Sequence, residues 1–221
     1  EAGVTAALAA REGVTGSLDV MEGDAGFGVA MSDGPDWDEC FLSLGKTFNI
    51  CRMTFKNHTC CGHTFAAIDG ALALQGRMKI AAREIERIRV GSYRAAKEVS
   101  GYESPATPAE ARFSLKYVVA TALTHGSVRL AAFEPARMSD AATRELMGRI
   151  EVAVDPELDA AFPKQRAARV AFRTRDGREE EFLQPTRIGD PEAPLSDAQL
   201  DAKYLELAGP VLGEAKARKL L

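Results

Sequence analysis

Lys56, His58, Cys60, Cys61 and His63 crowd into one short stretch, Lys56-Asn57-His58-Thr59-Cys60-Cys61-Gly62-His63-Thr64-Phe65-Ala66-Ala67-Ile68-Asp69, which runs straight into an apolar helical pattern. These are residue types that move protons, attack electrophiles and hold anions. A helix start without a cap leaves backbone N–H groups unpaired and carries partial positive charge, so with Lys56 beside it the stretch suits a carboxylate or phosphate. His58 and His63 titrate near neutral pH, and either suits an acid or a base. Zinc would draw on both His and both Cys. Its ligand pairs normally hold two or more residues within a pair and stand opposite a distant second pair, so the spacing predicts no metal. A nucleophilic thiol is physically allowed, because a neighbouring His and a helix N-terminus both lower a thiol pKa. The plainer reading makes Cys60 and Cys61 small apolar packing groups, one of them lining a pocket. Asp69, inside the helix, reads as a structural hydrogen-bond acceptor.

Periodicity and turn chemistry define the elements around this loop. Residues 1 to about 11 read as a helix stopped by Gly13, with short helices near 18–21 and 26–31. Trp37, Phe41 and Leu44 read as local packing, and 50–55 as an extended approach to the loop. A helix from about Thr64 to Gly76 carries Phe65, Ile68, Ala71 and Leu72 on one face. Ile88 and Val90 alternate with Arg87 and Arg89, which predicts a half-buried strand ending near Tyr93, with Tyr93 on the arginine side. Thr107-Pro108-Ala109-Glu110 is a capping box with Pro at the first helical position. It opens a central helix through Ala111, Leu115, Val118, Val119, Ala122 and Leu123. Tyr117 and Phe113 read as core residues, and His125 beside Gly126 as a favourable charge at that helix's negative end.

Asp140 starts a helix to about Arg149, and 150–154 is a strand stopped by Asp155-Pro156. Asp176-Gly177 joins 168–174 to 180–183 as a hairpin. Gly189-Asp190-Pro191-Glu192-Ala193-Pro194 is a proline-rich return, Ser196-Asp197-Ala198-Gln199 a second capping box, and Ala208-Gly209-Pro210 a break before a last short helix. The class is α+β, and the chain is expected to form separate packing units joined near residues 80 and 194.

The 221 residues suffice for one or two domains, and 46% hydrophobic with 27% charged residues is ordinary for a globular chain. A net charge of -4 offers no basic footprint for nucleic acid or an anionic membrane, so a small anionic substrate must meet local positive charge. No apolar run suits a bilayer span and no signal-peptide pattern opens the chain, which makes the cytoplasm the expected setting. Four cysteines, two of them adjacent, in a chain this long read as reduced thiols.

The chain resembles the second half of proteins of the MmgE/PrpD family, which contains 2-methylcitrate dehydratase, cis-aconitate decarboxylase and iminodisuccinate epimerase. The likeness is carried by the Lys56–Asp69 loop and by Ala9-Ala10-Arg11-Glu12-Gly13-Val14-Thr15-Gly16 with Glu22-Gly23-Asp24-Ala25-Gly26-Phe27. Downstream it is carried by Pro108–Ala120 and by Pro194-Leu195-Ser196 followed by Leu200 and Lys203-Tyr204. The resemblance implies that residues 1–80 and 195–221 belong to an all-helical domain and that 81–194 form an α+β lid over it. It implies a cofactor-free lyase, most like 2-methylcitrate dehydratase, that removes a proton beside a carboxylate of a small di- or tricarboxylate. Lys56, His63 and Tyr93 would be its catalytic groups on this chain, with His58, Cys60, Cys61 and Gly62 as substrate contacts. An epimerase of the iminodisuccinate type, or an inactive fragment or interaction module, are the alternatives. A homodimer is the expected assembly. The family's first half is absent, and alone this chain is expected to turn over little.

Overall fold

Packing divides the chain between Asn49 and Ile50 in the computed structural model, which describes Glu1–Leu221. The first unit, Glu1–Asn49, has no strands. It contains α1 (Ala2–Arg11), α2 (Phe27–Met31) and α3 (Trp37–Phe41), the last capped by Asp36, whose carboxylate accepts from the Glu39 N–H at 2.9 Å. The helix expected near 18–21 is a series of turns. No large apolar side chain of this unit is buried; Leu18, Phe27 and Phe41 are all exposed.

The second unit, Ile50–Leu221, opens on the last residues of a 3-10 turn (Asn49–Arg52), where an extended approach was expected. Then come α4 (Phe65–Met78), β1 (Ile85–Ser92), α5 (Arg94–Val99), α6 (Pro108–Arg112) and α7 (Leu115–His125). There follow α8 (Pro135–Met138), α9 (Ala141–Met147), β2 (Ile150–Val154), α10 (Pro156–Ala161), β3 (Ala168–Thr174) and β4 (Glu179–Gln184). The tail is α11 (Asp197–Leu212) and α12 (Glu214–Lys219). The strands form one sheet in the order β2-β1-β3-β4, with β1 parallel to β2 and antiparallel to β3, and β3 antiparallel to β4 through the Asp176-Gly177 hairpin. No helix is long and apolar enough to cross a membrane.

The unit's core corrects the expected boundary near residue 80. Phe65, Ile68 and Leu74 of α4 share one buried cluster with Ile88 of β1 and Val170 and Phe172 of β3, so α4 belongs with the sheet. The physical reason is that α4 is apolar on nearly all sides from Phe65 to Ala71, and such a helix must be covered on more than one face. Each large side chain so buried contributes about 1.5–3 kcal/mol. Gly70 sets the approach, because a Cβ there would lie 3.2 Å from both Gln184 Cβ and Val170 Cγ2. The tail also belongs to this unit: Arg129 pairs with Glu206 of α11, and Lys203 Nζ donates to Lys56 O at 2.7 Å.

Local signals explain most of the remaining boundaries. The Thr107–Glu110 capping box forms as expected but opens only five residues of helix, since Ser114 caps a new one by accepting from the Tyr117 N–H at 3.2 Å. A register shift between Ile85 and Arg87 places Ile85 in the core although it has the parity of Arg87. The outer face of the sheet is instead ionic, with Arg87–Glu151 at 2.7 Å and Arg169–Asp155 at 2.8 Å. Pro210 does not end α11, which runs on to Leu212. A proline that close to the C-terminus disturbs only the last turn.

Candidate functional site

The loop before α4 is fixed at several points by a turn more than a hundred residues away in sequence. Phe55 N–H donates to Gly189 O at 2.8 Å, and Thr54 Oγ1 donates to Asp190 Oδ1 at 2.6 Å. Gly189, at φ 105°, has no alternative residue, because a Cβ there would stand 2.1 Å from Phe55 O. Asp190 also accepts a two-pronged pair from Arg187, Nε–Oδ2 at 2.9 Å and Nη2–Oδ1 at 2.6 Å. Burial pushes the Asp190 carboxyl up, but the Arg187 and Thr54 hydrogen bonds and the Arg187 charge outweigh it and leave the pKa lowered. Farther along the loop, Thr59 N–H donates to Val128 O at 2.9 Å and Cys61 N–H to Arg112 O at 3.0 Å.

Within this frame the expected site residues separate. His58 is buried, and its Nε2 meets Asp69 Oδ1 at 2.8 Å while Asp69 Oδ2 accepts the Ile188 N–H at 2.9 Å. Asp69 is thus the structural acceptor expected of it, joining loop, helix and distant turn. Cys60 is buried with Sγ 3.3 Å from Thr64 Oγ1. Burial pushes its thiol up to about 12, which leaves almost no thiolate at neutral pH. Cys61 is half-buried, and its carbonyl accepts from both the backbone and the hydroxyl of Thr64. Gly62 O lies 3.5 Å from Arg187 Nη1. Lys56 is exposed, and its ammonium makes no hydrogen bond or ion pair. His58, Cys60, Cys61 and His63 therefore do not converge, and no three His, Cys, Asp or Glu side chains are placed to hold a metal ion. No side chain caps the start of α4.

His63 and Tyr93 do come together. His63 Nδ1 lies 2.9 Å from the Tyr93 hydroxyl, across the junction between the loop and the end of β1. Alternation along β1 would put Tyr93 with the exposed Arg87 and Arg89. The strand ends at Ser92, however, and Tyr93 turns into the start of α5, where it is buried. Burial foremost, then the charges of Arg166 and Arg187, hold the His63 pKa below 6.5. Burial pushes the Tyr93 phenol up to about 12 against the opposing pull of those same arginines. At neutral pH the pair is a neutral imidazole and a neutral phenol, the states that a base and a hydrogen-bond donor need.

Three residues that the sequence reading passed over complete the surroundings. Phe162 stacks on Tyr93 with centroids 4.4 Å apart and planes 13° apart, and lies 6.2 Å from the His63 ring. Arg166 holds its guanidinium carbon 5.9 Å from the Phe162 centroid. Arg187 forms the buried pair described above. The i,i+3 spacing of Arg187 and Asp190 around a glycine was the available signal for that pair; Phe162 and Arg166 carry no local one.

Residues 58–221 match the MmgE/PrpD C-terminal domain, a span that takes in His63, Tyr93, Phe162, Arg166 and Arg187. The chain is 24% identical over 234 residues to the cis-aconitate decarboxylase-like protein oryM of Aspergillus oryzae, an alignment covering 99% of this chain and 48% of that protein. The chain thus spans about half the length of the curated relative it matches. With the domain match covering the loop, the sheet and the tail, the chain belongs to the MmgE/PrpD family.

Proposed function

We propose that this chain contributes the His63–Tyr93 pair of a cofactor-free lyase that takes a proton from carbon beside a carboxylate of a small di- or tricarboxylate. The observation that carries the reading is the 2.9 Å contact between an imidazole held below 6.5 and a phenol raised to about 12. With Nδ1–H donating to the phenol oxygen, the Nε2 lone pair is free as a base and the phenol O–H is free to donate to a substrate carboxylate. That donor is strongest when charge develops on the carboxylate as the C–H bond breaks. In a dehydration the C–H electron pair becomes the new C=C bond, and the C–O bond breaks. The proton on His63 then converts the departing hydroxide to water. Lys56, exposed and unpaired in the same loop, supplies a cation for a carboxylate.

Decarboxylation is the second reading, favoured by the relative named for that activity. It uses the same groups differently: the C–C bond breaks, carbon dioxide leaves, and a proton is delivered to carbon. Full-length protein offered 2-methylcitrate and cis-aconitate in turn, with products followed by proton NMR, separates the two. His63→Asn should lower turnover about 10²–10⁴-fold, the usual worth of a positioned proton-transfer group. Lys56→Met should lower it as well. Undiminished turnover by folded His63→Asn protein would rule the site out.

A further inference from the structure

Arg166 differs from Arg187, the other arginine whose charge acts on His63 and Tyr93, and from Arg169 nearby in sequence, in having no hydrogen-bonding partner. Arg187 is committed to Asp190, and Arg169, on β3, is shared among Asp155, Glu157 and Glu181. Arg166 stands between α10 and β3, half-buried, and its guanidinium makes neither a hydrogen bond nor an ion pair within the chain. What it stands over is an aromatic face. The guanidinium lies 5.9 Å from the centroid of Phe162, whose other relations are the stack on Tyr93 at 4.4 Å and the approach to His63 at 6.2 Å. A partly desolvated guanidinium loses hydration and gains here only a cation–π contact, a weak return for five donors.

We propose that Arg166 is the specificity-determining residue that receives a carboxylate of the substrate remote from the reacting carbon. The row Arg166–Phe162–Tyr93–His63 keeps the free fork close to the proton-transfer pair, near enough for its charge to act on both His63 and Tyr93, with the Phe162 ring beside it. A planar fork meets a carboxylate through two parallel N–H···O bonds, which a lysine in its place cannot make. The chemistry implied is selection for substrates with two or more carboxylates over monocarboxylates. This assignment rests on reading His63 and Tyr93 as the proton-transfer pair, and binding tests it separately from turnover.

The experiment is titration calorimetry of the full-length protein with tricarballylate, an unreactive tricarboxylate. Wild type, Arg166→Lys, Arg166→Met and His63→Asn are compared after matched circular dichroism and melting curves. Arg166→Met should bind about tenfold to a hundredfold more weakly, as expected for loss of charge-assisted hydrogen bonds, and Arg166→Lys should fall between it and wild type. Replacing one carboxylate of the ligand by a carboxamide should weaken wild type and leave Arg166→Met little changed. Equal tricarballylate affinity in wild type and folded Arg166→Met overturns the assignment, as does a wild type that binds none. Should His63→Asn keep its turnover while Arg166→Met loses binding, the error lies in the proton-transfer reading and not in Arg166.

Discussion

His58 and His63 leave one loop for opposite environments: His58 is buried against the Asp69 carboxylate, and His63 is half-exposed against the Tyr93 hydroxyl. Their removal should therefore be felt in different measurements. His58→Ala strands a buried Asp69 oxygen and should cost about 1–3 kcal/mol in urea unfolding. His63→Ala removes a neutral, half-exposed partner of the Tyr93 hydroxyl and should cost less, about 0.5–1.5 kcal/mol, while lowering turnover about 10²–10⁴-fold. The opposite assignment of losses would show that the roles are reversed.

The depressed pKa of His63 fixes the acid side of the pH profile. Its neutral form persists below the ordinary 6.5, so the acid limb of kcat/KM should fall at a pH lower than 6.5. The Tyr93 phenol stays protonated to about 12 and should leave no alkaline limb below pH 10. Because His63 takes up its proton less readily folded than unfolded, its contribution to stability is present above 6.5 and declines as pH falls through the lower folded value. An acid limb above 6.5 would contradict the burial of this imidazole.

Asp190→Asn should be among the more damaging single changes in the chain. Both members of the Arg187–Asp190 pair are only 11% exposed, so removing one charge leaves the other buried and uncompensated at about 3–5 kcal/mol. Replacing both, Arg187→Met with Asp190→Leu, should cost less than Asp190→Asn alone in the same denaturant titration. By the same logic the lowered Asp190 pKa means that its contribution holds above 3.8 and is lost as pH falls below it. A double variant weaker than the single would show that the pair itself carries the turn.

Thiol reactivity should order the cysteines. Cys40 and Cys51 are exposed, Cys61 is half-buried, and Cys60 is buried with a pKa near 12. Iodoacetamide at pH 8 followed by peptide mass spectrometry should label Cys60 last, and Cys60→Ala should retain activity. Early labelling of Cys60 in native protein would revive the nucleophile reading.

Local grammar made much of the fold legible. The capping boxes at Thr107 and Ser196, the Asp176-Gly177 hairpin and the parity of Ile88 and Val90 all act over a few residues, and all are found. What failed depended on partners distant in sequence. The boundary near residue 80 went astray because the pattern of α4 shows that it is apolar but not that a sheet covers it. The split of the central helix turned on Ser114, one cap among many serines. Of the candidate site, His63 was singled out by its chemistry and Tyr93 by the family resemblance, and the fold sets the two side by side. Phe162, Arg166 and Arg187 were not singled out, since their meaning comes from what the fold sets beside them.

The clasp between Phe55 and Gly189 also imposes an order of events. On a chain made from its N-terminus, the histidine loop emerges well before the turn that secures it, and Thr54, Phe55 and Asp69 wait for Asp190, Gly189 and Ile188. Contacts of such sequence separation carry a loop-closure cost in entropy that local helix and hairpin contacts do not. A nascent chain halted before residue 187 would hold helix α4 and the last strand without the turn that secures the histidine loop, so the order of that loop arrives only with the residues that follow β4.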